Sequence, residues 1–113
     1  MITIWHNPRC SKSRQTLALL QERSSDINIR TYLDDAPSQD DLRAALTTLG
    51  VGAIEIMRTN EAVFKELGLS RGDGDDRLIA AMVAHPILIE RPIVFANNRA
   101  ALGRPPEAVL DIL

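Results

Sequence analysis

The sequence contains a single cysteine, and this scarcity limits what the chain can do with sulfur. Cys10 has no second cysteine with which to form an internal disulfide, so the chain is not a disulfide-stapled secreted scaffold. Metal binding is also disfavoured, because one cysteine and two separated histidines, His6 and His85, do not make a ligand cluster. Any thiol redox chemistry must therefore take its second thiol from another molecule.

Long apolar runs and a large net charge are lacking as well. No apolar segment approaches the roughly 20 residues that a transmembrane helix requires, and no basic region followed by an apolar segment and a cleavage site opens the sequence. We therefore expect a cytoplasmic protein. The formal net charge of -2 at pH 7 argues against a general nucleic-acid or anionic-membrane binder, because those partners require an excess of basic charge. Any anion site must be local.

The residues that are present fit one soluble α/β domain. The chain has 113 residues, 45% hydrophobic and 25% charged, which leaves little room for a second core. We predict a single domain over residues 1–113. Hydrophobic periodicity and turn residues predict, in order, a strand, a helix, a strand, a helical block, a β-hairpin and a final helix. Their bounds are Ile2–Trp5, Ser11–Glu22, Asn28–Leu33, about 38–86, 93–102 with a turn at Asn97-Asn98, and a helix introduced by Pro105-Pro106.

This order predicts the arrangement of the sheet. The first strand, helix and strand make a βαβ unit with parallel strands. Ser38 and Asp41 form a variant capping box at the start of the helical block, whose first helix ends at Gly50. We predict a mixed four-stranded sheet with helices on both faces and a helical insertion between the βαβ and ββα halves, which matches a thioredoxin-like core.

The loop HNPRCSKSR places the cysteine beside three cations. Cys10 directly precedes the first predicted helix, with Arg9, Lys12 and Arg14 close in sequence. The N-terminal amides and macrodipole of a helix, together with nearby cations, lower a thiol pKa from about 8.5 into the range of roughly 3.5 to 7.5. We therefore predict that Cys10 is a reactive thiolate, in a geometry that also suits an oxyanion. His6 could reach the sulfur, or it could stabilise the turn through its ring nitrogens.

Other readings of the cysteine are less favoured. A buried structural thiol is the common fate of a lone cysteine, but an apolar site would not be built from Arg9, Ser11, Lys12 and Ser13. A Cys-x-x-Cys dithiol is excluded because position 13 is serine. A phosphatase-type Cys-x5-Arg loop is excluded because the sixth residue after Cys10 is Thr16.

Eleven of the thirteen basic residues are arginine, the side chain suited to bidentate recognition of oxyanions. Arg58, Arg91 and Arg104 stand at breaks between predicted elements, although each alone is equally consistent with a solvated or capping arginine. Arg91 is the strongest candidate, because it lies between two apolar runs and would be costly to bury unpaired. Pro92, at the start of a strand, is a candidate for a cis peptide bond.

Four separated segments together resemble the ArsC family of glutaredoxin-coupled arsenate reductases, in the branch with a Cys-Ser-Lys-Ser-Arg loop. The resemblance runs over essentially the whole chain and implies a thioredoxin-like fold with a helical insertion. The segments are His6–Arg14, Arg58, Glu90–Val94 and Gly103–Glu107.

The resemblance also implies roles for individual residues. Cys10 would attack arsenate to give a covalent thiol–arsenate adduct, and His6 would help to keep it ionised. Pro92 would be the cis-proline of the fold. The substrate-binding residues would be Arg58, Arg91, Arg104, Ser13 and Arg14.

The same resemblance implies the partners of the reaction. Glutathione would attack the adduct as a co-substrate, and glutaredoxin would resolve the mixed disulfide, with arsenite released and no tightly bound cofactor. Two alternatives stay open: a glutathione-linked reductase acting on another substrate, and a regulator resembling the Spx proteins that bind RNA polymerase. The Spx regulators often carry a Cys-x-x-Cys switch, whereas this chain has Ser13 at that position.

Overall fold

The structure is a computed structural model that describes residues 1–90 and 92–113. The chain divides into two compact units, one comprising Met1–Asp35 with Arg91–Leu113 and the other Ala36–Glu90. The second unit covers the segment predicted as the helical insertion. The single-domain assignment over residues 1–113 stays a prediction. Among the described residues, no helix has the length and apolar character needed to cross a bilayer.

The first unit is built on the predicted four-stranded mixed sheet, with strand order β2-β1-β3-β4. Strand β1 pairs in parallel with β2 and antiparallel with β3, and β3 pairs antiparallel with β4. The elements are β1 Ile2–Trp5, α1 Ser11–Arg23, β2 Ile27–Arg30, β3 Ile93–Ala96, β4 Arg99–Leu102 and a C-terminal 3-10 helix Pro106–Ile112.

Strand β2 is shorter than the predicted Asn28–Leu33. The carbonyl of Thr31 accepts hydrogen bonds from the backbone N–H groups of Asp34 and Asp35, at 3.0 and 2.9 Å. These bonds turn the chain immediately after Arg30 and end the strand. The apolar and polar alternation of the sequence continues beyond the point where the ladder stops.

The hairpin between β3 and β4 turns where the sequence predicts it. Asn97 and Asn98 have φ values of 55° and 60°, the left-handed conformation that a two-residue type I′ turn requires and that asparagine tolerates better than most residues. The side-chain amide of Asn97 also donates to the carbonyl of Ile112 at 2.9 Å. The turn is therefore tied to the end of the C-terminal 3-10 helix.

One face of the sheet carries the core of this unit. The pleat brings Ile4, Val94 and Ala96 to the same face, where Leu20 of α1 and Val109 of the 3-10 helix pack against them. Ile4, Leu20, Val94 and Val109 are fully buried. On the opposite face, the rings of Trp5 and Phe95 lie 5.2 Å apart, and the guanidinium of Arg30 lies 5.7 Å from the centre of the Trp5 ring. This burial fixes the direction in which β1 delivers the loop that follows it.

The second unit is helical, as predicted. Its helices are α2 Gln39–Leu49, α3 Ala62–Glu66 and α4 Asp75–Ala84, with 3-10 turns at Ala53–Ile56 and Pro86–Leu88. The capping box is confirmed: the Ser38 hydroxyl accepts from the Asp41 N–H at 3.1 Å, and the Asp41 carboxylate accepts from the Ser38 N–H at 3.0 Å. Gly50 ends α2 with a φ of 73°, the left-handed conformation that favours glycine at this position.

Candidate active site

Cys10 occupies the N-cap position of α1, as the sequence predicts. Its backbone is extended, its carbonyl accepts the first helical hydrogen bond from the Arg14 N–H at 3.0 Å, and its own N–H donates to the Asn7 carbonyl at 3.0 Å. The residue is half-buried, and the first turn of α1 contains no acidic side chain. The positive end of the helix dipole therefore meets no carboxylate from that turn, which favours an anion at this end of the helix.

The buried hydroxyl of Ser13 holds the preceding loop against α1. Its oxygen lies 2.7 Å from Nδ1 of His6 and accepts a 3.0 Å hydrogen bond from the backbone N–H of Asn7. Ser13 is fully buried, and His6 and Asn7 are only 6% and 7% exposed. We call the hydrogen bonds of Ser13 to His6 and Asn7 the Ser13 clasp. The geometry gives Ser13 a loop-holding role, and its predicted substrate contact stays a prediction.

Two further hydrogen bonds stiffen the same loop. The side-chain oxygen of Asn7 accepts from the Arg9 N–H at 3.0 Å, and Nη1 of Arg14 donates to the Pro8 carbonyl at 2.9 Å. Arg14 is exposed and has five N–H donors, so its contact with Pro8 leaves others to face an anion. Its role in substrate binding stays a prediction.

His6 is held in a way that favours its neutral form. Burial lowers the pKa of His6 below the usual 6.5, and the positive charge of Arg14 lowers it further. A neutral ring supplies no positive charge beside Cys10 at neutral pH. The structure therefore supports the turn-stabilising role that the sequence left open, and the predicted action of His6 on the thiolate stays a prediction.

The close packing around Gly103 explains why the Gly-Arg-Pro-Pro segment begins with glycine. A Cβ at this position would lie 2.5 Å from Cγ of Pro92 and 2.6 Å from the hydroxyl oxygen of Thr16 on α1. The Gly103 N–H also donates to the Pro92 carbonyl at 2.9 Å. Only glycine allows this close approach, which brings the segment carrying the exposed Arg104 against the helix that Cys10 caps.

The cis-proline prediction is not tested at its predicted place. The bond before Pro92 involves residue 91, so it lies outside the described residues, as does the predicted substrate contact of Arg91 itself. A cis peptide bond is present at Arg104-Pro105. That bond was not predicted from the sequence.

Arg58 lies in the second unit, between two carboxylates. Its Nε donates to Oε1 of Glu61 at 3.1 Å, and its Nη1 lies 3.7 Å from Oε1 of Glu90. Backbone pairing creates this arrangement: the Arg58 N–H donates to the Leu88 carbonyl at 2.8 Å, and the Glu90 N–H donates to the Ile56 carbonyl at 2.7 Å. The guanidinium is thus oriented before any ligand binds, and its predicted contact with an oxyanion stays a prediction.

Three residues that orient the Cys10 loop and the Arg58 side chain were not predicted from the sequence. Asn7 was not singled out from the sequence, although it takes part in three hydrogen bonds of the loop. Glu61 stands three residues after Arg58, and the turn closed by the 3.3 Å hydrogen bond from the Glu61 N–H to the Arg58 carbonyl brings the two side chains together. Glu90 pairs across the isolated bridge between Met57 and Ile89, and no local pattern in the sequence announces such a bridge.

The strand order and the position of the cysteine define a class of protein. A sheet of order β2-β1-β3-β4 with a thiol at the start of the first helix is a thioredoxin-like α/β fold. The model of the ArsC family matches residues 5–112. The chain therefore belongs to the ArsC family.

The chain is also similar to individual proteins over nearly their whole length. The chain is 47% identical over 114 residues to "Uncharacterized protein YfgD" of Escherichia coli (strain K12), covering 99% of this chain and 96% of the relative. It is 45% identical over 114 residues to "Arsenate reductase" of Neisseria meningitidis serogroup A, covering 99% and 97%. The solved structure "Arsenate reductase from Vibrio cholerae" superposes with a TM-score of 0.94 at 47% identity, covering 99% of this chain and 97% of that one.

Proposed function

We propose that the protein is a thiol-dependent reductase that converts arsenate to arsenite, with Cys10 as the nucleophile. The observation that carries this proposal is the position of Cys10 at the N-cap of α1, whose first turn contains basic residues and no acidic ones. Relatives at about 45% identity that are named arsenate reductase support the same substrate class.

The first chemical step forms a sulfur–arsenic bond. The Cys10 thiolate attacks the As(V) centre of arsenate, and one arsenate hydroxyl group takes up a proton from solvent and leaves as water. The nearby cations Arg9, Lys12 and Arg14 and the helix amides favour the thiolate and the bound anion alike. Arsenic remains As(V) in the adduct.

The second step is the reduction, and it requires an outside thiol because the chain has a single cysteine. A glutathione thiolate attacks the Cys10 sulfur, a disulfide bond forms, and the sulfur–arsenic bond breaks with its electron pair passing to arsenic. Arsenite is released as As(III), and the two sulfurs are together oxidised by two electrons. Glutaredoxin then reduces the Cys10–glutathione disulfide by thiol–disulfide exchange and restores Cys10.

Arginines provide the charge that holds the oxyanion. Arg58, Arg91 and Arg104 bind arsenate in this proposal, because guanidinium groups match its geometry with paired hydrogen bonds. Arg58 is already paired with Glu61 and Glu90, which keep it oriented. Arsenate binding at Arg58 must therefore compete with these two carboxylates.

The test is arsenite production by the purified protein with arsenate, glutathione and glutaredoxin. We expect Cys10→Ser to lose at least about a thousandfold in rate, since it removes the nucleophile. The matched control is Ser24→Ala, which removes a hydroxyl beyond the other end of α1 and should keep full activity. Activity in Cys10→Ser equal to that of the wild type would overturn the proposal.

The thiolate itself can be tested without arsenate. The rate of Cys10 alkylation by iodoacetamide, followed against pH, should report a thiol pKa well below about 8.5. Omitting both glutathione and glutaredoxin from the turnover assay should abolish arsenite production altogether, because arsenic is reduced only when an outside thiol attacks the adduct. A Cys10 pKa near the ordinary value of about 8.5 would show that the helix N-terminus and the nearby cations do not stabilise the thiolate.

A further inference from the structure

A cavity of about 390 Å³ lies beside the Cys10 loop in the first unit. It is lined by residues 6–9 of the loop that follows β1 and by Thr31, Leu33 and Asp34 of the turn that follows β2. Its volume falls within the range of about 300–1,000 Å³ that is usual for small-molecule sites. Because β1 and β2 are parallel, both segments leave the sheet at the same carboxyl edge, where α/β proteins bind their ligands.

The hydrogen bonds around the cavity explain why it is open. The His6 N–H donates to the Arg30 carbonyl at 2.8 Å, continuing the ladder of β1 and β2 by one bond. Beyond this bond the chains separate. The Ser13 clasp holds His6 and Asn7 towards α1, and the turn at Thr31 carries Asp34 away from β1. The cavity is therefore set by backbone geometry and does not depend on one flexible side chain.

The walls of the cavity carry opposite charges with apolar groups nearby. Arg9 is an exposed cation on the loop and Asp34 an exposed anion on the turn, whereas Pro8 and the 40% exposed Leu33 offer apolar surface. Such walls suit a small ligand that carries both a carboxylate and an ammonium group. Arg9 also directly precedes Cys10 in the sequence, so the cavity is lined by the loop that leads to the nucleophile.

We infer that this cavity is the docking subsite of the thiol co-substrate, a zwitterionic thiol peptide of the glutathione class. Arg9 binds a ligand carboxylate, Asp34 binds its ammonium group, and the ligand thiol is delivered to Cys10. The inference rests on the proposed function for its choice of a thiol ligand. It adds a binding site and two recognition residues that the predicted oxyanion site does not include.

The test uses S-methylglutathione, which keeps the charges of glutathione but cannot form a disulfide. In ¹⁵N-labelled wild-type protein, it should shift the backbone amides of residues 6, 7 and 9 and of residues 31–34. Arg9→Gln and Asp34→Asn should each weaken binding about twofold to fivefold, within the range for one exposed charge pair. The backbone bonds of Arg9 and Asp34 remain in both variants, and the exposed α1 charges give the controls Arg23→Gln and Glu22→Gln, which should bind as the wild type does.

Chemically masked ligands assign each contact. Esterifying the carboxylates of S-methylglutathione should weaken binding to the wild type but not further weaken binding to Arg9→Gln. Acetylating its amino group should weaken binding to the wild type but not to Asp34→Asn. In the turnover assay, both variants should raise the KM for glutathione, and Asp34→Asn should leave the KM for arsenate unchanged.

These results separate the subsite from the proposed function. If S-methylglutathione shifts only other amides, or if both variants bind it like the wild type, the subsite is wrong even if glutathione supports arsenate reduction. If the charge-dependent binding is found but no arsenite forms, the subsite stands and the arsenate assignment fails. Shifts of these amides by glutaredoxin and not by S-methylglutathione would assign the cavity to a protein partner and contradict the inference.

Discussion

The Cys10 loop and the Arg58 segment are positioned by different kinds of interaction. In the first unit, the Ser13 clasp holds the loop through hydrogen bonds between neutral groups and the fully buried Ser13 hydroxyl. Arg58 in the second unit is held by charged partners, and its side chain and that of Glu61 are 24% and 26% exposed. Buried hydrogen bonds fix the Cys10 loop, whereas partly exposed ion pairs orient Arg58.

The difference suits the tasks proposed for the two regions. A neutral clasp fixes the loop before Cys10 without adding negative charge that would oppose a thiolate or an arsenate ion. Ion pairs at Arg58 keep the guanidinium oriented, but an incoming anion can exchange with a half-exposed carboxylate at small cost. Changes near the Cys10 loop should therefore affect stability strongly, whereas changes at Glu61 should have small, salt-dependent effects.

The largest effect is expected for Gly103→Ala. The new methyl group would meet Pro92 and Thr16 at 2.5 and 2.6 Å, and neither the proline ring nor a helical threonine moves easily. We expect the free energy of unfolding to fall by about 2 to 3 kcal/mol, the cost of overpacking, in urea denaturation. Gly72→Ala is the matched control, because its Cβ would meet nothing within 4 Å. Equal stability of the two variants would contradict the close approach at Gly103.

Ser13→Ala should follow in size. It leaves the buried Asn7 N–H and the His6 ring without their hydroxyl partner, and we expect a loss of about 1 to 2 kcal/mol in the free energy of unfolding. Ser11→Ala removes an exposed hydroxyl from the same helix and serves as the control. The loop should also become mobile, so Cys10 alkylation should change in Ser13→Ala only. A fully stable Ser13→Ala protein would show that the clasp does not hold the loop.

Protonation of His6 at acidic pH should lower the stability of the folded protein. The folded protein binds the His6 proton less readily than the unfolded chain, because burial and then the charge of Arg14 lower the pKa of His6 below 6.5. The stability that this shift contributes is complete above pH 6.5 and is lost as the pH falls through the lower pKa of the folded state. The His6 ring resonances, followed by NMR against pH, give that pKa directly. His6→Asn should show a flatter decline of stability below pH 6.5, and a ring that titrates above 6.5 would contradict the argument.

The smallest effect is expected for Glu61→Gln. Removing one half-exposed carboxylate from Arg58 should lower the free energy of unfolding by about 0.5 kcal/mol or less, and added salt should reduce the difference from the wild type. Glu66→Gln, an exposed change at the last residue of α3, the helix that Glu61 caps, is the control. A loss of several kcal/mol that does not respond to salt would remove the contrast between the two regions.

Local chemistry made much of the fold predictable. The Asn97-Asn98 turn, the capping box at Ser38 and the glycine end of α2 were all read correctly, because each depends on residues within a few positions of one another. The position of Cys10 at the start of α1 was predictable for the same reason. The end of β2 was misjudged, because the hydrogen bonds to Thr31 and not the hydrophobic pattern stop the strand.

The candidate site was only partly predictable. The residue types Cys10, His6 and Ser13 could be chosen from one short segment, but their contacts could not. The sequence allowed His6 to act on the sulfur or to hold the turn, and the 2.7 Å contact with Ser13 favours the second role. The partner of Arg58 across the bridge, Glu90, lies 32 positions along the chain, so no local pattern indicates it.

The sequence by itself determined the order of elements, the single thiol at a helix start and the rule that any thiol redox chemistry here must use an outside thiol, because each follows from neighbouring residues or from composition. The tertiary structure decided which distant segments meet. It placed the Ser13 hydroxyl against the loop before Cys10, packed Gly103 against Pro92 and Thr16, and left a charged cavity between the ends of β1 and β2. These depend on the packing of distant segments, whose distances are set when the sheet forms and the apolar core closes.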